Sequence, residues 1–181
     1  MRQVRYRSAL VAACAAALAV SGAGAAQAAQ TRVVLAGTGY QADYGLTDAG
    51  PSDPGITVTD LVYLNVRDPA ALADRARSVS TPGSADYGRF STPGQIQAQN
   101  QLTAPELDRV RSWLTSAGLG VTQPNWRELS FTGTIGQLER AFDVAFDNYT
   151  DPDPTDQDSW QIPTTDLSVP GDVGSLVEPQ Q

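Results

Sequence analysis

Phe131-Thr132-Gly133-Thr134-Ile135-Gly136-Gln137-Leu138-Glu139-Arg140-Ala141-Phe142-Asp143-Val144-Ala145-Phe146-Asp147-Asn148-Tyr149 reads as strand, helix, strand, and the rest of the chain is arranged around it. Leu129 and Phe131 alternate with Glu128, Ser130 and Thr132, the period-2 pattern of a strand buried on one face, until Gly133 breaks it. Thr134 followed three residues later by Gln137 has capping-box spacing. Ile135, Leu138 and Phe142 then recur at helical spacing, with Glu139, Arg140 and Asp143 outside the stripe. Val144, Phe146 and Tyr149 carry the chain into a second strand, so the helix is expected to pack back on the sheet that it connects.

Upstream, residues 120–132 give the other half of a hairpin. Val121 to Gln123 and Arg127 to Thr132 read as neighbouring strands with Pro124-Asn125 at the turn. Before them, Thr103-Ala104-Pro105-Glu106 is a second capping box, Leu107, Val110, Trp113 and Leu114 form a stripe, and Gly118 stops the helix. A short helix is expected from Pro93 to Asn100. The loop over 80–93 is dense in turn residues and carries Tyr87 and Phe90, which are expected to pack it down. Asp68-Pro69 starts a further helix, running to about Ser78 and burying Leu72, Ala76 and Val79. Residues 60–66 form a strand with Val62, Leu64 and Val66 on one face and Leu61, Tyr63 and Asn65 on the other. The order is strand, helix with an inserted helical loop, strand, strand, helix, strand. That is an α+β fold of ferredoxin-like split βαβ type, a four-stranded antiparallel sheet with helices packed on one face.

The first 29 residues read as a secretory signal peptide. Arg2, Arg5 and Arg7 form a basic start, Ala9 to Val20 an apolar run too short to span a bilayer, and Ala26-Gln27-Ala28 a small-x-small cleavage site. The expected localisation is extracellular, and lipid attachment at Cys14 is disfavoured because the apolar run continues well past it. Residues 30–55 read as an N-terminal extension or linker, 56–150 as the compact domain, and 151–181 as an acidic loop followed by an exit segment. Removing the signal removes the only cysteine, so disulfides and thiol chemistry are excluded from the exported part. No histidine exists anywhere, which excludes Ser-His-Asp triads and His-liganded zinc within this chain. Beyond residue 29, nine arginines and no lysine face 20 acidic residues, a formal charge of −11, and nucleic acid is not an expected partner. No cofactor is expected.

As a set, several pieces resemble the activation domain of sedolisins, the kumamolisin-like acid serine peptidases. They are Asp68-Pro69-Ala70-Ala71-Leu72, the loop Pro82-Gly83-Ser84-Ala85-Asp86-Tyr87-Gly88-Arg89-Phe90-Ser91, the helix end Trp113-Leu114-Thr115-Ser116-Ala117-Gly118, and Gly133-Thr134 leading to Ala141-Phe142 and Tyr149. Ser168-Val169-Pro170-Gly171-Asp172-Val173 is similar to that family's exit toward its enzyme. The resemblance spans about residues 56–177 in matching order. It implies a split βαβ propeptide that helps a peptidase fold, blocks its cleft and is removed in acid. Its partner would be a sedolisin-type catalytic domain, in cis as in the family or in trans. The family's Ser-Glu-Asp set, Ser-Gly-Thr-Ser nucleophile motif and calcium site have no counterpart in these 181 residues, so no catalytic residue carries over and the chain is expected to be non-catalytic. The alternative from another class is an exported binding or adaptor module derived from such a domain.

Other residues favour plain readings. Gly37-Thr38-Gly39 superficially resembles a phosphate loop but lacks the third glycine and the following helix. Asp151, Asp153, Asp156 and Asp158 lack the ligand alternation of a calcium loop and read as a solvated acidic loop. Asn148-Tyr149-Thr150 is a glycosylation sequon only formally, and Glu128 and Glu139 read as surface charges. If the helices cover the Val62, Leu64, Leu129 and Phe131 face, then Leu61 and Tyr63 on the opposite face, with nearby Trp126, form the expected partner interface.

Overall fold

The computed structural model describes residues 31–40, 45–153 and 158–178; the signal-peptide reading lies outside them. Nine strands and four helices occur among the described residues: β1 Arg32–Val34, β2 Thr47–Pro51, β3 Thr57–Leu64, α1 Pro69–Ser80, α2 Pro93–Asn100, α3 Ala104–Ser116, β4 Gly120–Asn125, β5 Glu128–Thr134, α4 Ile135–Phe142, β6 Phe146–Thr150, β7 Ser159–Pro163, β8 Ser168–Pro170 and β9 Val177–Glu178. The helix starts follow from side-chain chemistry. Asp68 Oδ1 accepts the Ala71 N–H at 2.8 Å ahead of α1, and the Thr134 N–H donates to Gln137 Oε1 at 2.7 Å ahead of α4. Thr92 and Gln95 form a reciprocal box at α2 that the sequence reading had not singled out. Gly118 ends α3 with φ of 89°, a conformation that costs a Cβ-bearing residue.

The expected α+β architecture and its four-stranded antiparallel sheet are present, in the order β4-β5-β3-β9. The fourth strand is not the expected one. β6 pairs with β2 and β7 in a separate three-stranded sheet, and only Val177 and Glu178 of β9 lie beside β3, opposite Leu64 and Tyr63. The physical reason is local: β7 follows β6 closely enough to form a hairpin, with Thr150 opposite Ser159 and Phe146 opposite Pro163, and a short loop costs little closure entropy. β2 covers the other edge of β6, and Tyr40 stacks on Tyr149 with ring centroids 4.3 Å apart. Burial, then Asp48 and Asp147 nearby, holds the Tyr149 phenol above its ordinary pKa.

One core lies between the sheet and α3 and α4. Val62 and Leu64 meet Leu129 and Phe131 from the sheet, Val110 and Leu114 from α3, and Ile135, Leu138 and Phe142 from α4. Phe142 packs edge-on to Trp113 at 5.2 Å and tilted to Phe131 at 6.0 Å, while Trp113 Nε1 donates to the Ala141 carbonyl. Residues outside the 56–150 segment join this core. Leu35 precedes it, and Val169, Val173, Leu176 and Val177 follow it, all buried. Each such side chain adds roughly 1.5–3 kcal/mol of burial. β1 pairs with β8, and Arg32 reaches across to donate to the Ala141 carbonyl at 2.9 Å, tying residues 32–34 and 168–170 to α4.

Two local expectations fail. In α1 only Val79 is buried, Leu72 is half-buried and Ala76 is exposed. The aromatics of the 81–92 segment do not pack it down: Tyr87 is 56% and Phe90 71% exposed. The segment is held by polar contacts instead. Asp86 meets Arg75 at 3.0 Å, the Arg75 guanidinium donates to the Arg89 carbonyl at 2.8 Å, and the Gly88 N–H donates to the Val79 carbonyl at 3.0 Å.

Candidate docking face

Strand alternation makes Leu61 and Tyr63 neighbours on the face of β3 turned away from Val62 and Leu64. Cross-strand register then assembles the rest of that face. Thr59 lies opposite Thr132, Leu61 opposite Ser130 and Tyr63 opposite Glu128, while Tyr63 also faces Glu178 across β9 and Ser130 faces Thr122 on β4. Leu61 and Tyr63 are half-buried; Thr59, Thr122 and Thr132 are exposed. The hydroxyls of Thr59 and Thr132 hydrogen-bond at 2.8 Å across the strands. The result is an open surface with an apolar centre, Leu61 and Tyr63, bordered by hydroxyls and carboxylates.

Trp126 is half-buried in the β4–β5 turn, at the end of the sheet where Tyr63 faces Glu128. The turn closes through Asn125, whose Oδ1 accepts the Arg127 N–H at 2.8 Å and whose Nδ2 donates to Glu128 at 2.6 Å. Arg127 joins two parts of the chain far apart in sequence. Its guanidinium sits 5.7 Å from the centroid of the Trp126 ring and pairs with Glu178 at 2.7 Å. This half-buried ion pair fixes β9 against the hairpin, and no spacing in the sequence announces it.

The arrangement offers contact chemistry. Glu128 lies on the open face, whereas Glu139 belongs to α4 behind the sheet and accepts the Phe146 N–H at 3.3 Å, so the two carboxylates share no site. Among the described residues no group of three or more His, Cys, Asp or Glu could hold a metal ion. The Gly37-Thr38-Gly39 turn is occupied by the chain's own carboxylate: Asp166 Oδ1 accepts the N–H groups of Thr38 and Gly39, each at 3.0 Å. Asn148 of the formal sequon accepts from Gln161 at 3.1 Å within the β6–β7 pair. Among the described residues no helix is long and apolar enough to cross a membrane.

Fold and face together define a small α+β domain with helices on one side of an antiparallel sheet and an open surface of mixed polarity on the other. The chain belongs to the Pro-kumamolisin, activation domain family, whose model matches residues 44–179. It is similar to xanthomonalisin of Xanthomonas sp. (strain T-22), with 33% identity over 91 residues, which cover 49% of this chain and 11% of that protein. It is also similar to sedolisin of Pseudomonas sp. (strain 101), with 28% identity over 125 residues covering 68% of this chain and 21% of the relative. The tripeptidyl-peptidase sed4 of Aspergillus fumigatus is 27% identical over 125 residues, 69% of this chain and 19% of that protein. The chain thus matches no more than about a fifth of the length of these relatives.

Proposed function

We propose that this chain is the propeptide of a sedolisin-type acid serine peptidase, exported, itself non-catalytic, and acting as a folding aid and an inhibitor that is released in acid. The observation that carries the reading is the open sheet face of an activation-domain fold, with half-buried Leu61 and Tyr63 at its centre and Trp126 at its end. Such a face is suited to burial against a partner, since aromatic anchors inside a polar rim dominate protein interfaces. The partner would be a sedolisin-type catalytic domain, in cis or in trans.

Acid release follows from the charge of the chain. Carboxylates paired with cations of the partner have lower pKa values in the complex than in the separated proteins. Their contribution to binding is then present above the unbound value, about 4, and is lost as pH falls through the bound value. The test is inhibition of sedolisin and xanthomonalisin by the full chain, titrated from about pH 7 to pH 3. Tight inhibition that fades in acid is the expected result; affinity that stays flat across that range refutes the release mechanism, and absence of inhibition throughout refutes the inhibitor role.

A further inference from the structure

Helices α1 and α2 and the 81–92 segment between them form an arm that contributes no residue from 67–101 to the buried core cluster. The segment can therefore open with the core intact, and exposed stretches of that kind are where folded chains are nicked. Within it, Arg89 to Thr92 run with neither turn nor helix up to the start of α2. Phe90 is 71% exposed, the most exposed large hydrophobic side chain among the described residues. Neither Phe90 nor Ser91 gives or takes a backbone–backbone hydrogen bond among the described residues. The other exposed aromatics differ. Trp160 is locked in the β6–β7 ladder opposite Tyr149, and the N–H groups of Tyr87 and Gly88 are engaged by the Ser84 and Val79 carbonyls.

An endopeptidase binds its substrate as an extended strand, through backbone hydrogen bonds and a pocket for the side chain on the acyl side of the cut bond. Phe90–Ser91 offers both in one place, an uncommitted backbone and a ring standing in water. What holds the segment on the acyl side of that bond is a polar latch. Asp86 meets Arg75 at 3.0 Å and Arg89 at 4.0 Å, and it accepts from the Ser78 hydroxyl at 3.2 Å. Arg75 also donates to the Arg89 carbonyl at 2.8 Å. Ion pairs this open to water contribute little, so the latch restrains the segment without closing it.

We propose that the Phe90–Ser91 bond is a processing site, cut by an endopeptidase that accepts an aromatic side chain on the acyl side, and that the cut ends the chain's action as an inhibitor. The second half rests on the propeptide reading. In the cut, water adds across the amide: its oxygen makes the Phe90 carbonyl a carboxyl group, and the nitrogen leaves as the amino group of Ser91. The consequence follows from topology. The bond lies between β3 and β5, which pair from Thr57 opposite Thr134 to Tyr63 opposite Glu128 in the middle of the sheet. After the cut Val62 and Leu64 sit on one piece, while Val110, Leu114, Leu129 and Phe131 sit on the other. The core then requires two chains to associate, and its stability falls with dilution. A propeptide released whole can rebind its peptidase; one released in two pieces comes apart.

The test incubates the full chain with small amounts of sedolisin and xanthomonalisin, and with chymotrypsin as a probe of access, and maps the first cut by mass spectrometry. Phe90–Ser91 is expected to be the first bond cut by all three. Phe90→Ser is expected to lose that cut with an unchanged melting temperature, and Phe90→Tyr to keep it. Asp86→Ala is expected to raise the rate of cutting about fivefold, because the rate follows the fraction of chains whose segment is open. The cut chain is expected to lose inhibition on dilution while Phe90→Ser keeps it. A first cut elsewhere, or one that Phe90→Ser leaves in place, overturns the assignment. Cutting at this bond by chymotrypsin alone shows access only and overturns the processing role. A chain cut there that inhibits neither peptidase before the cut leaves the site standing and removes the inhibitor reading; inhibition without this cut does the reverse.

Discussion

Replacing Tyr63 separates docking from folding, but the substituent must be chosen from the register of the sheet. Aspartate would be a poor choice. Tyr63 lies directly opposite Glu128 on β5 and opposite Glu178 on β9, so a new carboxylate would sit between two existing ones. Directly opposed residues on antiparallel strands have Cβ atoms about 5 Å apart, and like charges at that separation repel by roughly 0.8 kcal/mol per pair even at the dielectric constant of water. Tyr63→Asp would thus lose up to about 1.5 kcal/mol of fold stability from repulsion, less to the extent that Arg127 offsets the charge of Glu178, besides the burial of the ring, and weakened inhibition could not be assigned to docking. Tyr63→Thr keeps a β-favouring side chain and adds no charge. Since Tyr63 is only half-buried, its cost to folding is expected to be about 1 kcal/mol. At the centre of an interface, loss of a tyrosine ring costs about 2 kcal/mol, a weakening of roughly thirtyfold. Urea denaturation gives the first quantity and the inhibition constant against sedolisin the second. The expected result is a large loss of inhibition with a small loss of stability. Equal loss of both in Tyr63→Thr refutes the argument and makes Tyr63 a structural residue of the sheet.

Two further expectations concern helix ends. At the start of α3 the Glu106 carboxyl is held below the usual range, first by the Thr103 hydroxyl, then by the Thr103 N–H, with Arg109 and Arg67 adding to the effect against a small opposing burial cost. Its folded-state pKa is depressed, so its contribution to stability is present above the unfolded value and lost as pH falls through the folded one; Glu106→Gln should flatten the acid limb of the melting temperature against pH, and an unchanged limb would count against it. Asp143 follows α4 in the left-handed region at φ of 54°, where glycine is at ease, and its ion pair with Arg32 at 3.7 Å is largely exposed. Asp143→Gly should therefore leave stability unchanged or raise it by up to about 1 kcal/mol in denaturant titration, and a clear loss would show that the Arg32 contact outweighs the backbone strain.

The elements were legible in the sequence where a local rule operates. The capping boxes at Thr103 and Thr134, the Asp68-Pro69 start, the Gly118 stop and the alternation around Leu129 and Phe131 each depend on residues within a few positions of one another. The same alternation put Leu61 and Tyr63 on a common face, because side chains on a strand alternate whatever the strand pairs with. Pairing is a different matter. The residues of Phe146–Thr150 themselves do not distinguish β3 from β2 and β7 as neighbours; the outcome is set by the short connection to β7 and by Tyr40 and β2 arriving from far upstream. The expected exit segment contributes Val169, Val173 and Val177 to the core, which its sequence does not announce, since a short apolar run shows its burial only once a cavity exists to receive it. Exposure at Phe90 was misread for the complementary reason: an aromatic in a loop satisfies any composition rule for packing, and only the placement of α1 and α2 decides whether a surface meets it. By itself the sequence determined the four helices, the strands β3 to β6, their faces and the family likeness. The tertiary structure alone decided which strands meet, the outer strands β1, β2, β7, β8 and β9, and the Arg127–Glu178 tie across 51 positions, because these depend on contacts between segments that no short-range pattern records.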